Sequence, residues 1–200
     1  MNSENEVEMK ETDIKEKKPR SPISYVIEGV IYVLLIVVCI YVVPTYVLQR
    51  TVVSGESMEN TLHDGESLLV DKLSYRFSDP KRYDIIVFYP KGKDVDEYYV
   101  KRIFGLPGET VQIKGNDVYI NGSKIEDSYA KDVMSEAGVA AKPYKLGSDE
   151  YFVLGDNRSV SLDSRTLPEE DSDAPGPVKF ENIAGRVILR IWPLSKIGVP

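Results

Sequence analysis

An unbroken apolar segment decides how this chain is organised; it reads Gly29-Val-Ile-Tyr-Val-Leu-Leu-Ile-Val-Val-Cys-Ile-Tyr-Val-Val-Pro-Thr-Tyr-Val-Leu48. The segment carries no charge and is about as long as a helix needs to be to cross the hydrocarbon core of a bilayer. Pro44 lies near its carboxyl end, where a kink or an early stop disturbs a membrane helix least. We therefore predict a transmembrane anchor helix over residues 23–48.

The residues on either side of this segment predict that it is retained as a membrane anchor and which way it crosses the membrane. A cleavable signal peptide is disfavoured because the apolar run exceeds about 15 residues and no small-x-small cleavage pattern follows it directly. Basic residues remain on the cytoplasmic side, which places the amino terminus inside and the rest of the chain outside the cell membrane, as a single-pass protein. Four basic residues precede the segment, whereas Arg50 alone follows it closely: Lys15, Lys17, Lys18 and Arg20.

Composition separates the chain into three parts and excludes several classes of protein. Residues 1–22 mix acids and bases with few large apolar side chains, which predicts a disordered cytoplasmic tail. Residues 49–200 suffice for one extracytoplasmic domain. The formal net charge is −7 and no basic stripe appears, so no nucleic-acid partner is expected. A single cysteine, Cys39, permits neither an internal disulfide nor a cysteine-based metal site, and we expect no cofactor and no metal.

The outer domain is predicted to be mainly β. Short apolar or β-branched runs alternate with glycine, proline and asparagine turns, and no stretch shows helical periodicity over three turns. Asn121-Gly122 between two such runs is typical of a hairpin. The predicted strands are 68–70, 83–88, 98–104, 110–113, 118–120, 151–154 and 186–191, with long loops at 127–149 and 162–180.

Ser57 lies nine positions after the apolar segment, in the run Ser54-Gly55-Glu56-Ser57-Met58. Nine extended residues span at most about 30 Å, so Ser57 works close to the membrane surface. The only histidine, His63, follows it too closely for a well-oriented Ser-His arrangement, and we interpret it as a surface residue.

Lysine can replace histidine as the base in Ser-Lys enzymes. Only about one lysine in 2,500 is neutral at pH 7, and lowering its pKa to 7 requires about 4.6 kcal/mol of selective destabilisation of the ammonium. Burial among apolar side chains can supply this. Lys101 fits, because alternation in the run 98–104 places it on one face with Tyr99 and Ile103. The alternative is an ordinary exposed lysine on a strand.

Three segments together resemble one family, the type I signal peptidases, which are membrane-bound Ser-Lys endopeptidases. The segments are Val-Ser-Gly-Glu-Ser-Met-Glu-Asn-Thr-Leu at 53–62, Val-Lys-Arg-Ile-Phe-Gly-Leu-Pro-Gly-Glu at 100–109 and Gly-Asp-Asn-Arg-Ser-Val-Ser-Leu-Asp-Ser-Arg at 155–165, and the match also covers Arg-Tyr-Asp-Ile-Ile-Val-Phe at 82–88. Taken alone, the third segment would be interpreted as a polar turn. The resemblance implies the fold of that family, a β-barrel or sandwich catalytic domain after one membrane helix.

The resemblance also implies roles for individual residues. Ser57 would be the nucleophile and Lys101 the general base, and Ser161 would hydrogen-bond and orient the lysine amine. Asp163 and Arg165 would form an ion pair that stiffens the site, with Arg102 as a further partner on the strand face opposite Lys101.

Two positions depart from the family pattern. Asn60 stands where proline is common, which affects loop stiffness. Gly55 stands where some Gram-negative members have a serine that donates to the oxyanion, so a backbone N–H, that of Ser57, would do more of this work. The glycine is familiar in Gram-positive members.

The implied function is removal of amino-terminal signal peptides from exported preproteins at the lipid bilayer. We expect shallow apolar pockets for small residues, lined from among Leu62, Tyr83, Ile85, Val87 and Tyr99. A soluble autoproteolytic Ser-Lys domain is disfavoured by the anchor. A specialised or non-enzymatic homologue acting in surface-protein or pilus assembly is a second alternative, although both the serine and the lysine are present.

Trp192, the only tryptophan, lies in the last predicted strand. We expect it to face inward, with contact to the membrane interface as the alternative.

Overall fold

A long apolar helix precedes the β domain in the computed structural model, which describes residues 21–95 and 97–200. The predicted tail therefore lies almost entirely outside the described residues. Ser21 caps the helix and Pro22 occupies its first position, which suits proline because no N–H is needed there. The helix comprises α1 (Pro22–Val37), a π-helical turn (Val38–Val42) and α2 (Val43–Tyr46).

This helix is long and apolar enough to cross a membrane. It has 25 residues, its most apolar 18-residue stretch has a mean hydropathy of 2.8, and no part of that stretch packs against the β domain. The π-helical turn precedes Pro44, and the N–H of Val43 donates to the carbonyl of Val38. The helix ends at Tyr46, two residues before the predicted end, because Leu48 already pairs with Asp71 as the first residue of β1.

The rest of the described chain is mainly β, as predicted, and its strands pair in antiparallel fashion. A seven-stranded sheet has the order β1-β2-β11-β3-β4-β9-β10 and a four-stranded sheet the order β7-β6-β5-β8. Helical structure after Tyr46 is limited, among the described residues, to short 3-10 turns. The strands are β1 (Leu48–Val52), β2 (Ser67–Asp71), β3 (Ile85–Phe88), β4 (Tyr99–Gly105), β5 (Thr110–Lys114), β6 (Asp117–Ile120), β7 (Ser123–Lys124), β8 (Tyr144–Lys145), β9 (Glu150–Leu154), β10 (Val178–Lys179) and β11 (Ile183–Trp192).

Buried apolar side chains fix both sheets. One cluster joins the small sheet to β4 and β9 through residues such as Phe104, Val111 and Phe152. A second cluster packs Met58 and Leu62, from the turn after β1, against the large sheet. Because these two residues are almost fully buried, they hold the turn that carries Ser57 in place.

Trp192 does not face inward, so that expectation is wrong. It is 54% exposed at the end of β11, opposite Ser67, and other exposed apolar residues follow it towards the carboxyl terminus.

Candidate active site

Ser57 lies in a compact turn between β1 and β2. The amide N–H groups of Thr61 and Leu62 both donate to the carbonyl of Met58, and the N–H of Glu59 donates to Glu56. Gly55 has φ +92°, a conformation that favours glycine, and its N–H donates to Asp64 Oδ1 at 2.8 Å. The half-buried Ser57 thus stands on a turn fixed from both sides.

Lys101 reaches this turn from β4. Its Cα is paired with Ile86 of β3, and its side chain is only 4% exposed. The Lys101 Nζ lies 2.6 Å from Ser57 Oγ, within hydrogen-bonding distance, and 5.4 Å from the centre of the Tyr99 ring. The structure therefore brings together the two side chains that the sequence singles out, although they are 44 positions apart.

Burial changes the acid–base behaviour of this lysine. Desolvation is the main cause that lowers the pKa of Lys101, from 10.5 to about 8. Asp163 and Asp156 oppose this effect, and Arg165 adds to it. Each aspartate is bonded to an arginine, so neither of these carboxylates supplies the full negative charge that would restore a high pKa.

Asp163 and Arg165 form the ion pair predicted from the resemblance. The guanidinium binds both carboxylate oxygens, at 2.8 and 3.0 Å, and both residues are buried. Arg165 also donates to the carbonyls of Arg158 and Ser161, at 2.8 and 3.1 Å. Gly155 donates its N–H to Asp163 Oδ2 at 3.1 Å. The pair therefore fixes the loop 155–165.

Ser161 does not make the predicted hydrogen bond to Lys101. Its buried Oγ has no partner among the described residues. The hydroxyl instead packs against Gly155, where an added Cβ would lie 2.2 Å from Ser161 Oγ and 2.5 Å from the Ser57 carbonyl oxygen. Gly155 is thus required because the loop and the Ser57 turn approach its Cα closely.

Arg102 lies on the strand face opposite Lys101, as expected, and its partner is Asp156 and not the Asp163–Arg165 pair. Alternation along β4 turns it to the face opposite Lys101, where it binds Asp156 through two bonds of 2.9 and 2.7 Å. Thr61 Oγ1 donates to Asp156 at 2.5 Å and accepts from Arg102 at 3.1 Å. This network ties the turn that carries Ser57 to β4 and to the loop 155–165.

A third buried arginine near the site, Arg158, was not assigned a role from the sequence. Arg158 is 1% exposed, donates to the Gly155 carbonyl at 2.9 Å and pairs with Asp127 at 2.6 Å. Its position in the Gly-Asp-Asn-Arg run was the available signal, but nothing in the sequence pointed to Asp127.

An open cleft of about 890 Å³ gives access to the two side chains. Of the five residues predicted to line the pockets, only Tyr99 does so. Leu62, Ile85 and Val87 are buried in the core, and Tyr83 packs against Phe104 and Tyr129. The cleft is lined by residues 51–58, 97–101, 160 and 162.

The remaining sequence candidates lie apart from this chemistry. His63 is half-exposed, and its Nδ1 lies 3.6 Å from Glu66. Among residues 21–95 and 97–200, no group of histidine, cysteine and carboxylate side chains is arranged to hold a metal ion. The arrangement at the cleft is an alcohol beside a desolvated amine, which is suited to nucleophilic acyl transfer.

Comparison with known proteins gives a consistent result. Residues 26–192 match the family model described as signal peptidase, peptidase S26. The chain is 38% identical to a signal peptidase I of Leptolyngbya laminosa, over 88% of this chain and 84% of that protein. It is 33% identical to signal peptidase I P of Bacillus subtilis subsp. natto, over 92% and 96% of the two chains. It is 34% identical to a signal peptidase I of Bacillus licheniformis, over 91% and 97%.

Proposed function

The chain belongs to the signal peptidase family, peptidase S26, and we propose that it removes amino-terminal signal peptides from exported preproteins with Ser57 as nucleophile and Lys101 as general base. The observation that carries this proposal is the 2.6 Å separation of Lys101 Nζ and Ser57 Oγ. Such proximity of a buried amine to an alcohol is the geometry that a Ser-Lys peptidase needs.

The reaction begins with the neutral amine of Lys101. Lys101 accepts the proton of Ser57 as Oγ attacks the scissile carbonyl, and the resulting ammonium donates that proton to the departing amine. A water molecule then attacks the acyl-enzyme while the same lysine takes its proton, and the lysine returns that proton to the departing Ser57 Oγ as the new carboxyl terminus is released. One lysine thus serves as base and as acid in turn.

The tetrahedral intermediate of each step carries an oxyanion, which needs a hydrogen-bond donor. Gly55 has no side chain to donate, and its N–H already binds Asp64. The N–H of Ser57 donates to no acceptor in the part of the chain that the structure describes. We therefore assign the oxyanion contact to the Ser57 amide.

Four further residues would position the two reacting side chains. Asp163 and Arg165 hold the loop 155–165 without a free carboxylate beside Lys101, and Arg102 holds the Ser57 turn through Asp156. Ser161 has a free, buried hydroxyl beside Gly155. We propose that this hydroxyl, as the family resemblance implies, orients the lysine amine during the reaction.

The anchor would place this site where its substrates are. In our proposal the helix Pro22–Tyr46 crosses the cell membrane once, with the amino terminus in the cytoplasm and residues 49–200 outside. The substrate is then a preprotein whose apolar signal segment is still in the bilayer. A short path from Tyr46 to Ser57 keeps the cleft near the point where that segment leaves the lipid.

The test is cleavage of a preprotein by the full chain in liposomes. Ser57→Ala and Lys101→Met should each lower kcat/KM by at least about 10³-fold, because neither variant retains a nucleophile activated by a base. Lys142→Met, which changes an exposed lysine outside the cleft, is the matched control and should cleave at the rate of the unaltered chain. Cleavage by either of the first two variants at the control rate would contradict the proposed roles.

A further inference from the structure

The last residues of the apolar helix contact a basic turn of the β domain. The guanidinium carbon of Arg76 lies 5.7 Å from the centre of the Tyr46 ring, at the end of α2. The N–H of Lys72 donates to the carbonyl of Val47 at 2.9 Å, and Lys72 Nζ donates to Gln49 at 3.2 Å. Two cationic side chains therefore lie at the level where the helix ends.

A cavity of about 360 Å³ opens beside these two side chains. Lys93 joins Lys72 and Arg76 in its lining, and Glu181 is the only carboxylate there. A surplus of positive charge at this place contrasts with the net charge of −7 for the chain. The cavity therefore has the charge and the position to take an anionic group at the membrane surface.

Phe77 lies next to Arg76 and is 83% exposed. The turn that carries it is well held, because Asp71 Oδ1 accepts the N–H groups of Leu73 and Ser74 at 2.8 and 3.0 Å. The N–H of Phe77 itself donates to the Ser74 carbonyl at 3.0 Å. An aromatic side chain presented to solvent on a fixed turn beside a membrane helix is suited to the lipid interface.

We propose that the turn 72–78 is a second membrane contact, which binds the phosphate of an anionic phospholipid between Lys72 and Arg76 and places Phe77 among the acyl chains. The inference rests on the proposed function in one respect, namely that the helix crosses a bilayer. A single helix leaves the domain free to tilt, whereas a second contact fixes the height and direction of the cleft. The ligand is a lipid and not free phosphate, because both cations lie where the helix leaves the apolar layer.

The experiment uses the full chain in nanodiscs and tryptophan fluorescence. Phe77→Trp is made in a Trp192→Phe background, which removes the only native tryptophan. Lipids brominated on their acyl chains quench tryptophan that is in contact with them. Bromination of phosphatidylglycerol in one sample, and of phosphatidylcholine in another, gives the preference of residue 77 for the anionic lipid.

The expected result is strong quenching of Trp at 77 and a clear preference for phosphatidylglycerol. The double charge reversal Lys72→Glu plus Arg76→Glu should lower this preference by at least about fivefold, because each interfacial cation contributes roughly that factor.

Two matched controls distinguish binding at this site from general effects of charge and exposure. Lys114→Glu plus Lys142→Glu reverses two exposed charges elsewhere and should leave the preference unchanged, and Val133→Trp, at a 67% exposed position, should not be quenched.

Three results would overturn the inference. They are equal quenching of tryptophan at 77 and at 133, equal effects of the two double reversals, and displacement of the brominated lipid by millimolar glycerol phosphate, which would indicate a site for a soluble phosphate. Because Ser57 and Lys101 are unaltered in these proteins, loss of the lipid contact and failure of the proposed reaction are observed separately.

Discussion

Lys101 and Arg102 are neighbours on β4 with almost equal burial, yet their environments are opposite. They are 4% and 3% exposed, and they project from opposite faces of the strand. Arg102 donates to both oxygens of Asp156, donates further to the Tyr83 carbonyl and the Thr61 hydroxyl, and stacks on the Tyr129 ring at 3.7 Å. Lys101 has an alcohol 2.6 Å away, and the nearby carboxylates of Asp156 and Asp163 are already bound to arginines.

This contrast shows that burial alone does not decide what a cationic side chain does. A buried cation with its own carboxylate remains charged and holds the structure together. A buried cation whose nearby carboxylates belong to other cations loses its proton more easily and becomes a base.

The largest effect is expected from exchange of the two side-chain types. Lys101→Arg should lower kcat/KM by about 10³–10⁴-fold, because a guanidinium remains protonated and cannot accept the Ser57 proton. Arg102→Lys should lower it by about tenfold or less, because an ammonium still pairs with Asp156 although it loses the two-bond geometry. Cleavage of a fluorogenic signal-sequence peptide measures both. Lys101→Arg with more than a tenth of the original activity would contradict the assignment of Lys101 as base.

The stability of the fold should respond in opposite directions at the two positions. Arg102→Met leaves the buried Asp156 without its cation and should lower the free energy of unfolding by about 3–5 kcal/mol. Lys101→Met should raise it by about 3 kcal/mol at pH 7, which corresponds to a pKa of about 8 in place of 10.5. Denaturant unfolding of the full chain in micelles, followed by circular dichroism, gives both values. Destabilisation by Lys101→Met would mean that the charged amine is well accommodated.

The stability gained by Lys101→Met should decrease as the pH rises. Below pH 8 the lysine is protonated in both states, so the native state bears the full penalty of burying an ammonium. Between pH 8 and 10.5 the native amine is neutral while the unfolded one is still charged, and the stability of the unaltered chain rises with pH. The advantage of Lys101→Met should therefore disappear by about pH 10.5. An advantage that stays constant across this range would show that it comes from packing.

A smaller effect on stability is expected from substitution of Thr61, which lies on the Ser57 turn and contacts both Asp156 and Arg102. Its hydroxyl donates to Asp156 and accepts from Arg102, which links the Ser57 turn to the paired cation. Thr61→Val should lower the free energy of unfolding by about 1–3 kcal/mol, because it leaves a buried polar group with one partner fewer. Thr61→Ser keeps the hydroxyl and is the control. Destabilisation by Thr61→Ser but not by Thr61→Val, which keeps a methyl group, would assign the role of Thr61 to its methyl group.

Local patterns predicted much of the fold and the central pair. The predicted run 98–104 overlaps β4 (Tyr99–Gly105), and the run 110–113 lies within β5 (Thr110–Lys114), where buried and half-buried positions alternate. The same alternation placed Lys101 with Tyr99, whose ring lies 5.4 Å from the amine. Burial of the lysine required large apolar neighbours, and the sequence provides these within the strand itself.

What the sequence could not predict depends on contacts between distant positions. Asp156 and Arg102 are 54 positions apart, and Thr61 and Asp156 are 95 apart, so no local pattern connects them. The prediction that the helix extends to Leu48 was wrong for a local reason. The apolar side chain of Leu48 continues the helical pattern, although its backbone pairs with β2. The free hydroxyl of Ser161 depends on a side-chain torsion, which a motif does not encode.

The most direct test of the account is the pH dependence of kcat/KM for peptide cleavage by the full chain. A base with a pKa of about 8 predicts that kcat/KM rises tenfold per pH unit below that value and levels off above it, since only the neutral amine accepts the Ser57 proton. A rise that continued to pH 10.5 would show that the lysine behaves like an exposed one, and no rise between pH 6 and 8 would show that another group is the base. Either result would contradict the central claim that burial without a carboxylate of its own makes Lys101 the base.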